Sequence, residues 1–156
     1  MQQEEFMREA IRLSLENVQS GNGGPFGAVI VKDGKIVATG VNEVTSSNDP
    51  TAHAEVVAIR NACKQLGSFQ LTGCEIYCSC EPCPMCLGAI YWARPDKIYY
   101  ANSKEDAAAI NFDDAFIYQE LDLPTAERQL PTEQLLRKEA WIAFQAWKDK
   151  DDKISY

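Results

Sequence analysis

Two short stretches of this 156-residue chain could do chemistry: His53-Ala54-Glu55 and Pro82-Cys83-Pro84-Met85-Cys86. His53 is the only histidine, and four of the six cysteines (Cys78, Cys80, Cys83 and Cys86) crowd together. Imidazole and thiolate are ligands that zinc takes readily. Cysteines three apart at the start of a helix point to one side, so Cys83 and Cys86 can hold one ion. The partial positive charge of a helix N-terminus also favours the thiolate. His53 is expected just inside the start of a second helix. If the two helix starts face each other, three protein ligands converge and a fourth position stays open to water, as a catalytic zinc requires. The alternative is a structural zinc knuckle, with Cys80 or Cys78 as the fourth ligand. Glu55 follows His53 by two residues, about 200° away on a regular helix. It therefore reads as a carboxylate beside the bound water and not as a ligand. Zinc lowers the pKa of bound water from about 15.7 to about 7, worth roughly 12 kcal/mol at 1.36 kcal/mol per unit. A neighbouring carboxylate can take that proton and deliver it to a substrate.

The elements that must position these groups follow from periodicity. Residues 2–19 space Phe6, Ala10, Leu13 and Asn17 as a helix, with Met7, Ile11, Leu15 and Val18 alongside on one broad apolar face. The breaker cluster Gly21-Asn22-Gly23-Gly24-Pro25 ends it. GAVIV and KIVATGV flank Lys32-Asp33-Gly34, a hairpin signal. A polar loop over 42–50 follows. A helix then runs from about residue 50 to Gly67, with Ala54, Ala58 and Ala62 on one face. Residues 74–79 read as a strand, the second half of CEPCPMCLGAIYWARP as a helix ending before Pro95, and 97–101 as a second strand. That strand–helix–strand unit should be parallel. Beyond residue 102 the pattern weakens to short helical pieces, until Glu133–Lys148 places Leu136, Ala140, Ala143, Phe144 and Trp147 on one stripe.

Composition narrows the classes. Apolar residues make up 46% and charged residues 24%, as in an ordinary globular protein and not a disordered one. The longest apolar run, Leu87 to Ala93, is far short of the ~20 residues a membrane span needs. The N-terminal MQQEEFMREA carries no secretory signal, so the expected compartment is the cytoplasm. There, metal binding is a better use of six cysteines than disulfides. Net charge is −8 and the basic residues are scattered, which disfavours nucleic acid as a partner. No internal repeat or linker splits the chain, which reads as one domain over 1–156.

The order H-x-E…P-C-x-x-C is the signature of zinc nucleobase deaminases. Over nearly its whole length the chain resembles the cytidine-deaminase-fold superfamily and, within it, the bacterial guanine deaminases. The resemblance rests on GGPFGAVIVKDG, SNDPTAHAEV, SCEPCPMCLGAIYWARP, FDDAFIY and FQAWK. The first three are shared with tRNA-adenosine deaminases; FDDAFIY and the aromatic C-terminal end pull towards guanine. The resemblance implies a three-layer α/β/α sandwich with a mixed central sheet. It implies one zinc per chain on His53, Cys83 and Cys86, with Glu55 as proton shuttle. It places Asn42, Phe26, Ala54, Asp114 and Tyr156 at the substrate, with Trp92 a second candidate for the pocket wall. An Asn can pair with a purine edge through donor and acceptor, and a carboxylate suits guanine's N1–H and amino donors. Each of Asn42, Phe26, Trp92, Asp114 and Tyr156 also has a plain alternative as a turn, core, cap or frayed-end residue. The implied reaction is hydrolysis of guanine to xanthine and ammonia, with guanosine, another aminated heterocycle or tRNA adenosine as alternatives. The implied partners are a small purine and a second copy of the chain, with no membrane. Segment 149–156 would be a tail that closes the site, exchanged between subunits.

Overall fold

The computed structural model describes all 156 residues, in two compact units, 1–114 and 115–156. The first unit opens with helix α1 (Gln2–Gln19), followed by strands β1 (Gly27–Lys32) and β2 (Lys35–Val41). The turn between the strands puts Asp33 and Gly34 at φ 49° and 71°, the left-handed pair a two-residue hairpin needs. The polar loop contains one short helix, α2 (Val44–Ser47). Helix α3 (Ala54–Leu66) ends at Gly67, strand β3 (Cys74–Cys80) leads into α4 (Pro84–Ala93), and β4 (Lys97–Asn102) precedes α5 (Lys104–Ala109). A capping box between Ser103 and Asp106 starts α5.

The sheet order is β2-β1-β3-β4, with β1 antiparallel to both neighbours and β3 parallel to β4. The sheet is therefore mixed, as expected. Alternation along β1 separates two cores. Ala28 and Ile30 join Ile76, Cys78, Ile90 and the alanine face of α3 (Ala54, Ala58, Ala62) on one side. Val29 and Val31 join Tyr77 and Ala10 of α1 on the other. Helices thus cover both faces, giving three layers. Gly40 sits where β2 meets α3: a β-carbon there would overlap the Ala54 carbonyl and the Ala58 amide.

The apolar face of α1 is narrower than its composition suggests. Phe6, Met7, Ala10 and Leu13 pack on the sheet, whereas Ile11, Leu15 and Val18 are exposed. A helix against a flat sheet covers only the residues near its line of contact.

The second unit holds α6 (Ala115–Leu121), a 3-10 turn at Thr125–Glu127 and α7 (Arg137–Asp149). Helix α7 starts four residues later than the expected start at Glu133, since Leu136 stands at its N-cap in a left-handed conformation. Arg128 Nε donates to the Glu120 carbonyl at 3.1 Å, and Trp141 and Phe144 rings lie 5.8 Å apart. No residue from 115 onward is buried. No helix of the chain is long and apolar enough to cross a membrane.

Candidate metal centre and active site

Two helix starts bring the ligands together. Helix α3 begins at Ala54, so His53 is its N-cap, with extended backbone at φ −70° and ψ 155°. This corrects the expectation that His53 lies inside the helix. The extended cap residue frees the imidazole from the helix barrel, so the 200° separation expected from Glu55 does not apply to the pair. Cys83 caps α4 in the same way (φ −67°, ψ 170°), with Pro84 at the first helical position, where no amide donor is needed. Cys86, one turn in, donates its backbone N–H to Cys83 Sγ at 3.5 Å.

His53 Nδ1 lies 3.5 Å from Cys83 Sγ and 3.5 Å from Cys86 Sγ. All three ligand atoms fall within 4.8 Å of one another. Tetrahedral zinc, with Zn–S near 2.3 Å and Zn–N near 2.05 Å, sets S···N edges of about 3.6 Å. The donor set therefore fits zinc in both chemistry and spacing. Neither rival thiol joins it. Cys78 is fully buried among the core side chains, and Cys80 directs its thiol to the Ser103 carbonyl at 3.8 Å. All six cysteines are free. These three donors would hold the ion, and a tetrahedral zinc there would have one position left for a small molecule.

Electrostatics at the centre are those of crowded anionic groups. Hydrogen bonding from Cys86, opposed by burial and aided by His53, pulls the Cys83 thiol down to about 4. Cys86 is pushed far up, because it supplies that hydrogen bond and is itself buried. A divalent cation held between the two sulfurs would favour both as thiolates. Glu55 is buried, and that burial raises its carboxyl above the ordinary range, against the lowering effect of a hydrogen bond from Cys86. A carboxyl beside the ligands with a raised pKa is suited to move protons near neutrality.

The other expected residues fall in different places. Ala54 is fully buried in the core below α3. Asn42, also buried, donates its N–H to the Phe26 carbonyl at 3.3 Å, and its Oδ1 accepts from the Val44 N–H at 3.2 Å. With Oδ1 engaged, Asn42 offers Nδ2 donors. Phe26 is half-buried and meets Phe112 edge-on, with centroids 5.0 Å apart. Asp114 is half-buried; burial raises its pKa, and the charge of Cys83 adds to the rise, so it lies within the field of the metal ligands. Trp92 is 63% exposed on α4, with Arg94 over its ring. Tyr156 belongs to the second unit and is exposed there. Sequence reading places Asn17 on the α1 stripe and Phe112 in FDDAFIY but gives neither a role at the site. The signal for Asn17 is a polar residue at a core position of α1, where it is buried.

The chain belongs to a family of zinc deaminases: the cytidine and deoxycytidylate deaminase zinc-binding region matches over residues 1–102. Zinc is the cofactor of that family, and His53, Cys83 and Cys86 are a cluster that could hold it. Among individual relatives, the guanine deaminase of Bacillus subtilis (strain 168) is 58% identical over 156 residues, all of both chains. Its X-ray structure matches with a TM-score of 0.95 over 98% of each chain, so the fold is that of a cytidine-deaminase-like α/β sandwich. A guanine deaminase structure from Nitrosomonas europaea, 32% identical, matches at a TM-score of 0.67 over 70% of this chain and 63% of that one. The tRNA-specific adenosine deaminase of Aquifex aeolicus is 36% identical over 141 residues, 90% of this chain and 89% of that one.

Proposed function

We propose that this chain hydrolyses guanine to xanthine and ammonia, as a step in purine catabolism or salvage. The observation that carries the reading is a three-ligand metal cluster with Glu55 buried beside it. It stands on a chain alike end to end with a guanine deaminase. When bound, zinc supplies an activated water for attack at C2 of the base. Glu55 takes the proton released from the water, passes it to the ring nitrogen and then assists departure of ammonia. Phe26, braced by Phe112, offers a ring to the flat base. Asn42 Nδ2 donates to an acceptor on the purine edge, and the Asp114 carboxylate accepts from N1–H and the amino group. Ala54, between His53 and Glu55, is a further candidate for contact with the base. Trp92 is a further candidate for the pocket wall.

The second unit is read as the part used between two copies. Trp141, Phe144 and Trp147 of α7 are exposed, and a second copy of this chain would cover them in a homodimer with exchanged C-terminal segments. Segment 149–156, ending in Tyr156, would close the base site. On this reading 1–156 forms one working deaminase domain, and six free thiols suit the reducing cytoplasm. A net charge of −8 speaks against tRNA as substrate.

The test is turnover of guanine, guanosine, cytosine and adenine by zinc-loaded protein, following xanthine and ammonia. Guanine should be preferred; preference for guanosine or another base would overturn the substrate. Glu55→Gln should keep zinc and lose about 10²- to 10⁴-fold in turnover.

A further inference from the structure

We infer that Asn17 is a positioning residue for the base contacts, a clamp at the end of α1 on which the order of Phe26 and Asn42 depends. The inference rests on the proposed function and deepens it. Asn17 is 4% exposed and continues the line of α1 residues that faces the sheet. Leucine would fill that position without any polar group to satisfy, so a buried carboxamide there points to its hydrogen bonds. Its Nδ2 donates to the Gly24 carbonyl at 2.8 Å and to the Asn42 carbonyl at 3.0 Å, while Oδ1 accepts from Asn22 Nδ2 at 2.9 Å. Both amide protons are used, and the Asn22 contact fixes which way the amide faces.

These bonds close a circuit. The Phe26 N–H donates to the same Gly24 carbonyl at 2.9 Å, and the Asn42 N–H donates to the Phe26 carbonyl at 3.3 Å. Asn17 therefore ties together the two backbone segments that present the aromatic face and the amide donor. Space is as tight as the bonding. A β-carbon at Gly23 would overlap the Asn42 carbonyl, and one at Gly24 would come 3.3 Å from the Phe26 ring. Removing the carboxamide leaves the buried Asn42 carbonyl without its donor and the partly buried Gly24 carbonyl with only the Phe26 N–H, so the two segments lose their cross-link. None of the Asn17 partners is a metal ligand, so the effect falls on base binding and not on zinc.

The test compares zinc-loaded wild type with Asn17→Ala and Asn17→Leu, the latter preserving packing. We expect zinc content to be unchanged, KM for guanine to rise by about 10- to 100-fold, and kcat to fall by less than about threefold. In a double-mutant cycle, Asn17→Ala added to Asn42→Ala should cost at least about threefold less than it does alone, because one of the two contacts the clamp serves is already gone. Amide hydrogen exchange at Phe26 and Asn42 should accelerate at least about tenfold in Asn17→Ala, with Val29 to Val31 unchanged. Unchanged KM in both variants, full additivity in the cycle, or exchange that speeds up everywhere alike would overturn the clamp. If wild type leaves guanine untouched, the function reading fails, and the exchange measurement still decides on Asn17.

Discussion

Residues 1–114 and residues 115–156 are both built with amphipathic helices, and they reach opposite states of burial. In the first unit α1 and α3 bury Ala10, Ala54, Ala58 and Ala62 against a sheet whose strand β1 is apolar on both faces. In the second, α7 carries Trp141, Ile142, Phe144 and Trp147 and buries none of them. Hydrogen bonds differ in the same sense. Asn17 reaches Asn42 across 25 positions and Gly27 reaches Ser79 across 52, whereas in 115–156 Arg128 reaches Glu120 and Gln145 reaches Asp149, both nearby in sequence. An apolar stripe states that a face needs cover; long-range partners decide whether the chain supplies that cover itself. A site that must hold three ligands to a fraction of an ångström belongs in the unit with its own cover.

This contrast can be broken or sharpened experimentally. The largest effect should come from Cys86→Ala in the first unit: loss of stoichiometric zinc by elemental analysis, with turnover down by about 10⁴-fold or more. Retained zinc would show that another thiol can replace Cys86. Next is Gly40→Ala, where the new β-carbon meets the α3 backbone. It should cost about 3 kcal/mol and lower Tm by roughly 10 °C in calorimetry. Deleting 149–156 from the second unit should lower kcat/KM by about tenfold, with zinc content unchanged and little change in Tm; equal loss of stability would merge the two units into one cooperative body. The smallest effect is Ser103→Ala, which removes the α5 capping box at a cost of about 1 kcal/mol. It should loosen the α5 amides in hydrogen exchange and leave turnover nearly intact.

Much of the first unit was legible because its signals are local. Asp33-Gly34 marks the hairpin, Gly67 and Pro95 mark helix ends, and the apolar alternation of 27–31 marks a strand. The cluster of His53, Cys83 and Cys86 was legible as a candidate ligand set from residue type and spacing, since few other roles place a lone histidine ahead of P-C-x-x-C. What escaped depends on tertiary geometry. That His53 and Cys83 are caps and not helix residues turns on backbone angles that spacing does not encode. The clamp formed by Asn17 turns on a loop folding back to meet it, and Phe112 on its meeting Phe26. Ile11, Leu15 and Val18 extend the apolar face in sequence yet stay exposed, because composition cannot tell how wide a strip the sheet covers. Stripe positions of α7 were legible as a stripe, but what covers them lies outside what a periodic pattern can encode.

Strand β1 pairs on both edges and feeds a separate core from each face. Inserting a single residue between Gly27 and Ala28 would therefore reverse the facing of the rest of the strand, sending Ile30 towards α1 and Val29 towards α3. Substitutions there can be absorbed one methyl group at a time, but changes of length cannot. Evolution of this chain is thus free to lengthen the loops flanking the hairpin, while the six residues of its innermost strand can vary only in kind, never in number.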